Sequence, residues 1–133
     1  MKVSSRERTG LRAMVELARC HGQGPTPLSQ VARVQDLSLA YLERIVPSLR
    51  EAGLISSVRG AHGGYSLTRP PAEISVGDVF RAVEDTLVPV DCVRGDGASC
   101  RRQATCATRS VWTELAQRIG ETLDTTTLAD VIV

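Results

Sequence analysis

The chain has no segment approaching the ~20 consecutive apolar residues that cross a bilayer. Its start, MKVSSRER, also lacks the apolar run of a secretion leader. A cytoplasmic location without a membrane partner is therefore expected, and there cysteines are free, metal-bound or redox-active more often than disulfide staples. Chemistry-bearing patterns of enzymes are missing too. The sequence contains no paired carboxylate motif, no nucleophile–histidine signature and no phosphate loop, and its two histidines, His21 and His62, fall in or next to predicted loops. Gly60-x-x-Gly63-Gly64 is glycine-rich but does not open a helix, so it is a poor phosphate cradle. These absences argue against an enzyme. A large net charge is also missing: the formal balance is only +1.

That near-neutrality hides an asymmetry. Residues 1–70 carry ten Lys/Arg against five Asp/Glu, whereas residues 71–133 carry six against ten. The basic half is the one suited to nucleic acid. Lysine is almost absent as well, since fifteen of the sixteen basic residues are arginine. Arginine offers planar donors for phosphates and guanine edges, although a GC-rich genome gives the same skew. At 133 residues one integrated domain is expected, its core completed by a partner chain.

Against this background one cluster stands out. Cys92-x7-Cys100-x5-Cys106 places three thiols within fifteen residues, in a stretch rich in glycine and arginine and poor in apolar residues. Thiols so close in sequence can converge on one metal or iron–sulfur cluster, and a zinc site or a reversible thiol switch uses the same pattern. Cys20 lies among apolar residues of the first predicted helix and reads as a small core residue.

The rest of the chain reads as a mainly α fold. Ser4 or Ser5 is placed to cap a first helix running to about His21, with Leu11, Met14, Val15 and Ala18 as its core stripe. Gly22 to Pro25 breaks it. Thr26-Pro27 then offers an N-cap and a first-turn proline for a short helix to about Val34. After the tight turn Gln35-Asp36-Leu37, Ser38 caps a helix whose Leu42, Ile45, Val46 and Leu49 form one apolar face until Gly53. Two such helices make a helix-turn-helix, the second being the recognition helix. A strand over 55–59, a glycine turn over 60–64 and a returning strand over 65–67 add a wing. Ser75-x-x-Asp78 reads as a capping box for a helix to about Asp85. A long helix from about Thr105 carries Val111, Trp112, Leu115, Ile119 and Leu123 at three- and four-residue spacing. So wide a stripe predicts packing on its copy in a two-fold dimer, with reading heads one DNA turn apart, ~34–36 Å. Thr127 caps a last turn, Leu128 to Ile132.

The expected fold is thus a winged helix-turn-helix with a two-stranded wing and a long C-terminal dimerisation helix. Residues 1–85 form the DNA-binding part, 86–106 the cysteine loop and 107–133 the dimerisation helix and C-terminal turn. On the recognition helix, Ala40, Tyr41, Glu43 and Arg44 point away from the apolar stripe, and Ser38 stands at its start. Glu43 can accept from cytosine N4, Tyr41 can reach phosphate, and Ala40 can touch a thymine methyl. Arg59 at the base of the wing is placed for the minor groove, and His62 at its tip for phosphate.

Four runs go further: Leu39-Ala40-Tyr41-Leu42-Glu43-Arg44-Ile45; Leu49-Arg50-x-Ala52-Gly53-Leu54-Ile55; Val58-Arg59-Gly60-x-x-Gly63-Gly64-Tyr65-x-Leu67; and Ile74-x-Val76-Gly77-Asp78-Val79. Together they resemble the BadM/IscR/NsrR family of bacterial winged-helix regulators over nearly the whole chain. The resemblance implies a homodimeric transcription factor, expected to be a repressor, binding double-stranded DNA at palindromic operators. It further implies an iron–sulfur cluster, [2Fe-2S] or [4Fe-4S], held by Cys92, Cys100 and Cys106, which match the family's three cysteines in order and location. Such a regulator senses nitric oxide, redox state or iron–sulfur status; the alternative is a cluster-free regulator of the same fold switched by cysteine oxidation or a small ligand.

The departures from the family pattern bear on the fourth ligand. The first cysteine spacing is two residues longer than the family's usual five. Where one branch has a ligating histidine, three residues after the last cysteine, this chain has Arg109, which stays protonated. Where another branch has an acidic residue on the partner's first helix, this chain has Arg8, with Glu7 beside it. One residue along a helix is a rotation of about 100°, so Glu7 serves as a cross-subunit ligand only with a shift of register.

Overall fold

A computed structural model describes residues 3–84 and 105–133. Helix α1 spans Ser5–Arg19. It starts where expected because Ser4 and Glu7 close a reciprocal capping box: the Ser4 hydroxyl accepts from the Glu7 amide and the Glu7 carboxylate accepts from the Ser4 amide, both at 3.1 Å. Its buried face is centred on Gly10, Ala13, Met14 and Leu17, with Ala18. The core stripe is thus rotated slightly from the predicted one, and Leu11 and Val15 lie at its half-buried edge. Gly10 belongs to that face because α1 crosses α4 there. A Cβ on Gly10 would stand 3.2 Å from Val83 Cγ1.

Helix α2, Leu28–Gln35, and helix α3, Leu39–Glu51, form the helix-turn-helix. Asp36 takes the left-handed conformation between them (φ 52°), and Ser38 caps α3 by accepting from the Tyr41 amide. Leu42, Ile45, Val46 and Leu49 are all buried, as their spacing requires. Thr26 corrects the sequence reading. The N-cap position of α2 is Pro27, without a side-chain bond, whereas Thr26 is buried and exchanges two 2.9 Å backbone hydrogen bonds with Tyr65. Thr26 stands one residue before the cap position, with its backbone paired to β2, so its hydroxyl does not cap α2.

The wing consists of β1, Ile55–Val58, and β2, Gly64–Leu67, antiparallel with Ile55 opposite Leu67 and Val58 opposite Gly64. The intervening turn closes with the Gly63 amide on the Gly60 carbonyl at 3.0 Å. Thr26 adds a third, one-residue rung beside β2.

A 3-10 turn, Pro71–Glu73, leads to α4, Val76–Val83, which opens with the expected Ser75/Asp78 capping box. Helix α4 ends at Val83 instead of near Asp85, because Glu84 turns extended. Helix α5 is Arg109–Thr125, four residues shorter at its start than predicted. Residues 105–108 form a turn instead, closed by the Arg109 amide on the Cys106 carbonyl at 3.3 Å. Helix α6, Leu128–Val131, carries a Thr127/Asp130 capping box. The C-terminal end is stitched to α4 by an antiparallel bridge between Ser75 and Thr127 and by an Arg81–Asp124 ion pair at 2.5 Å. Leu128 joins Met14, Val31, Leu42, Ile45, Leu49, Ile74 and Val79 in one core.

Helix α5 differs from the others: none of its residues is buried. Trp112, Leu115, Ile119 and Leu123 are half-exposed and Val111 is 56 % exposed. Among the described residues, nothing covers this apolar stripe fully.

Candidate DNA interface and thiol site

Burial of the Leu42/Ile45/Val46/Leu49 face dictates what α3 presents outward. Ser38, Ala40, Glu43 and Arg44 are exposed. Tyr41 is half-buried and packs against the core, so its ring braces the helix as well as facing outward. An open groove runs along this end of α3, lined by Arg6, Ser38, Ala40, Tyr41 and Arg44. Arg59 and His62 are exposed on the wing, at the end of β1 and in its turn. The predicted DNA-facing residues thus lie on α3 and on the wing that follows it.

Two residues of this surface escaped the sequence reading. Leu39, one turn before Leu42, has the spacing of a core residue yet is exposed at the start of α3. It presents an apolar side chain beside Ala40. Arg6 lies on α1, and its guanidinium reaches Ser48 and Val83, far along the chain. No local pattern could reveal that reach.

Cys92 and Cys100 lie outside the described residues, as does most of the predicted cysteine loop. Cys106 is half-buried in the turn before α5, its Sγ 3.2 Å from the Thr108 hydroxyl. Glu7 is half-buried and engaged in the α1 capping box through Oε1, and Arg8 is exposed. Cys20 is half-buried, not a full core residue. Its Sγ lies 3.9 Å from Glu16 Oε1 and 4.0 Å from Gln30 Nε2. Among the described residues, no three His, Cys, Asp or Glu side chains come together as a metal site.

A family model described as "Rrf2: Iron-dependent Transcriptional regulator" matches residues 3–133. The chain belongs to the Rrf2 family. It is 42% identical over 130 residues to the HTH-type transcriptional regulator CymR of Bacillus subtilis, covering 98% of this chain and 88% of that protein. It is 38% identical over 133 residues to the regulator IscR of Aliivibrio salmonicida, covering 100% of this chain and 78% of that protein. Among solved structures, CymR of B. subtilis, described as a global cysteine regulator, superposes with a TM-score of 0.84, covering 99% of this chain and 96% of that one. IscR of T. potens superposes with a TM-score of 0.81 at 41% identity, covering 99% of this chain and 86% of that one. The chain is therefore a winged-helix transcriptional regulator, and its relatives are regulators, not enzymes.

Proposed function

We propose that this regulator acts as a homodimeric repressor at palindromic operators, with its DNA affinity set by an iron–sulfur cluster held by Cys92, Cys100 and Cys106. The observation that carries this reading is the position of the thiols. They follow α4, the last helix of the DNA-reading unit, and end at Cys106, immediately before the open apolar helix α5. Three soft donors suit iron–sulfur ligation. Cys106, half-buried in the turn before α5, offers one sulfur donor to such a group. Arg109 does not fit as a fourth ligand. Glu7 offers a carboxylate, but ligation from the partner subunit must share it with the Ser4 amide or use the other oxygen. When bound, the cluster supplies iron that reacts with nitric oxide and oxidants.

In this reading residues 1–85 read DNA through Ser38, Ala40, Tyr41, Glu43, Arg44, Arg59 and His62. Residues 86–106 hold the cluster, and 107–133 dimerise. A second copy laid along Trp112, Leu115, Ile119 and Leu123 would cover the stripe of α5 and set two recognition helices about one DNA turn apart. Ligation joins Cys92 and Cys100 to Cys106 at the foot of α5, and its loss changes how firmly the reading heads are held.

A second reading is a thiol switch without a cluster. It is favoured by the likeness to CymR, including a solved "oxidized form" of the Staphylococcus aureus protein with a TM-score of 0.80 and 38% identity. Anaerobic purification with iron and sulfide counting separates the two. Cluster sensing gives a coloured protein whose operator affinity tracks its visible absorbance, and alanine at Cys92, Cys100 or Cys106 removes both. A colourless, iron-free protein whose affinity changes on oxidation supports the switch. Equal DNA binding by all three alanine variants under oxidising and reducing conditions defeats both readings.

A further inference from the structure

We infer that Arg6 is a positioning residue for operator binding: its guanidinium fastens the recognition helix to the end of α4, where the thiol-bearing segment begins. The coupling half of this inference rests on the function proposed above. Arg6 Nε donates to the Val83 carbonyl at 3.0 Å, and Nη2 donates to the Ser48 hydroxyl of α3 at 3.2 Å. Glu84 completes the junction, accepting from the Ser4 hydroxyl at 3.1 Å and standing 4.0 Å from Arg6 Nε. One fork on α1 therefore holds the last residue of α4 and the C-terminal half of α3. Residues 85–104 follow Glu84 directly.

The attachment point on α3 is next to Pro47, which lies inside that helix and has no amide to offer the Glu43 carbonyl. The helix's own ladder is thus one bond short between its reading turn and Ser48, so an outside tie at Ser48 has more influence on the helix path. Val83 is the last residue of α4, whose free carbonyls favour a cation. Only a planar fork satisfies both acceptors at once; a lysine brings the charge to a single point. The side chain also borders the groove beside Ser38, Ala40, Tyr41 and Arg44. A direct contact with DNA phosphate is therefore the competing explanation for any loss of binding.

The test uses full-length protein with a duplex selected by the wild type from a random pool, and a scrambled duplex as control. Arg6→Gln and Ser48→Ala should each weaken the selected duplex about fivefold. The double variant should be no weaker than Arg6→Gln alone, and Arg6→Lys should behave like Arg6→Gln. Binding to the scrambled duplex and the salt dependence should not change. Additive losses, rescue by Arg6→Lys, a salt slope lower by about one, or no loss at all would overturn the positioning role. Should Arg6→Gln fold poorly, Ser48→Ala alone still decides whether the tie matters. In a second arm, the ratio of selected-duplex affinities between cluster-loaded and cluster-free protein should approach one in both variants. An unchanged ratio overturns the coupling. A wild-type ratio already at one overturns the cluster reading and the coupling with it, leaving the positioning role to the first arm.

Discussion

Replacing Gly64 with alanine tests how the wing is hung on the helix-turn-helix. Gly64 opens β2 with φ 153°, and an ideal Cβ there would fall on the Thr26 carbonyl and 2.6 Å from Pro27 N. Those are backbone atoms and cannot rotate aside. Accommodation requires β2 to move off Thr26, which breaks the two 2.9 Å hydrogen bonds between Thr26 and Tyr65. Each contributes about 1 kcal/mol net, and the glycine-only backbone conformation adds about 1 kcal/mol more. The sum, about 3 kcal/mol, is a large part of a typical domain's stability and corresponds to a melting point lower by about 10 °C. Gly60→Ala is the internal control. Gly60 also has positive φ (113°), but nothing lies within 4 Å of its Cβ position, so it should lose only the conformational part, about 1 kcal/mol. Circular dichroism melts of both variants check this, and Gly64→Ala should also lose most operator affinity because Arg59 and His62 ride on the displaced wing. If the two variants melt together, the backbone approach at Thr26 does not hold the wing and the reasoning fails.

Ser38→Ala removes the cap of α3 and should cost about 1 kcal/mol, measured by urea denaturation; an unchanged midpoint would mean that water replaces the hydroxyl without loss. For Asp78, burial alone would raise the carboxyl pKa, but hydrogen bonds from the Ser75 amide and hydroxyl, with Arg81 and Arg69 nearby, bring it below 3.8. A depressed folded pKa stabilises the native state above the unfolded value and loses that contribution as pH falls through the folded one. Asp78→Asn should therefore melt below the wild type at neutral pH and converge with it in acid below 3.8; a gap that persists in acid would assign the loss to packing. Leu115→Arg places a charge in the open stripe of α5 and should turn a dimer into monomers by light scattering, with operator affinity falling as the second reading head is lost. A dimer that survives the change would place the two-fold contact elsewhere.

Much of this fold was legible because its instructions are local. The caps at Ser4, Ser38, Ser75 and Thr127 each act on an amide three residues away, and the apolar face of α3 follows from helical period alone. The glycines of the wing turn mark backbone that other residues adopt poorly, with Gly60 at φ 113° and Gly64 at 153°. Errors arose where a local reading met a distant partner. Thr26 had the form of a cap but belongs to a bridge with Tyr65. Helix α5 started later than its periodicity suggested because residues 105–108 turn on themselves.

Of the candidate site, the residue types and their order came from sequence: three clustered thiols, a recognition helix with Ala40, Glu43 and Arg44 outward, and a basic wing. Tertiary structure alone decided how these are held. The Arg6 fork joins residues 42 and 77 positions away, and the Arg81–Asp124 pair spans 43. Periodicity and capping are written in neighbours along the chain, whereas these contacts depend on which surfaces the folded helices bring together.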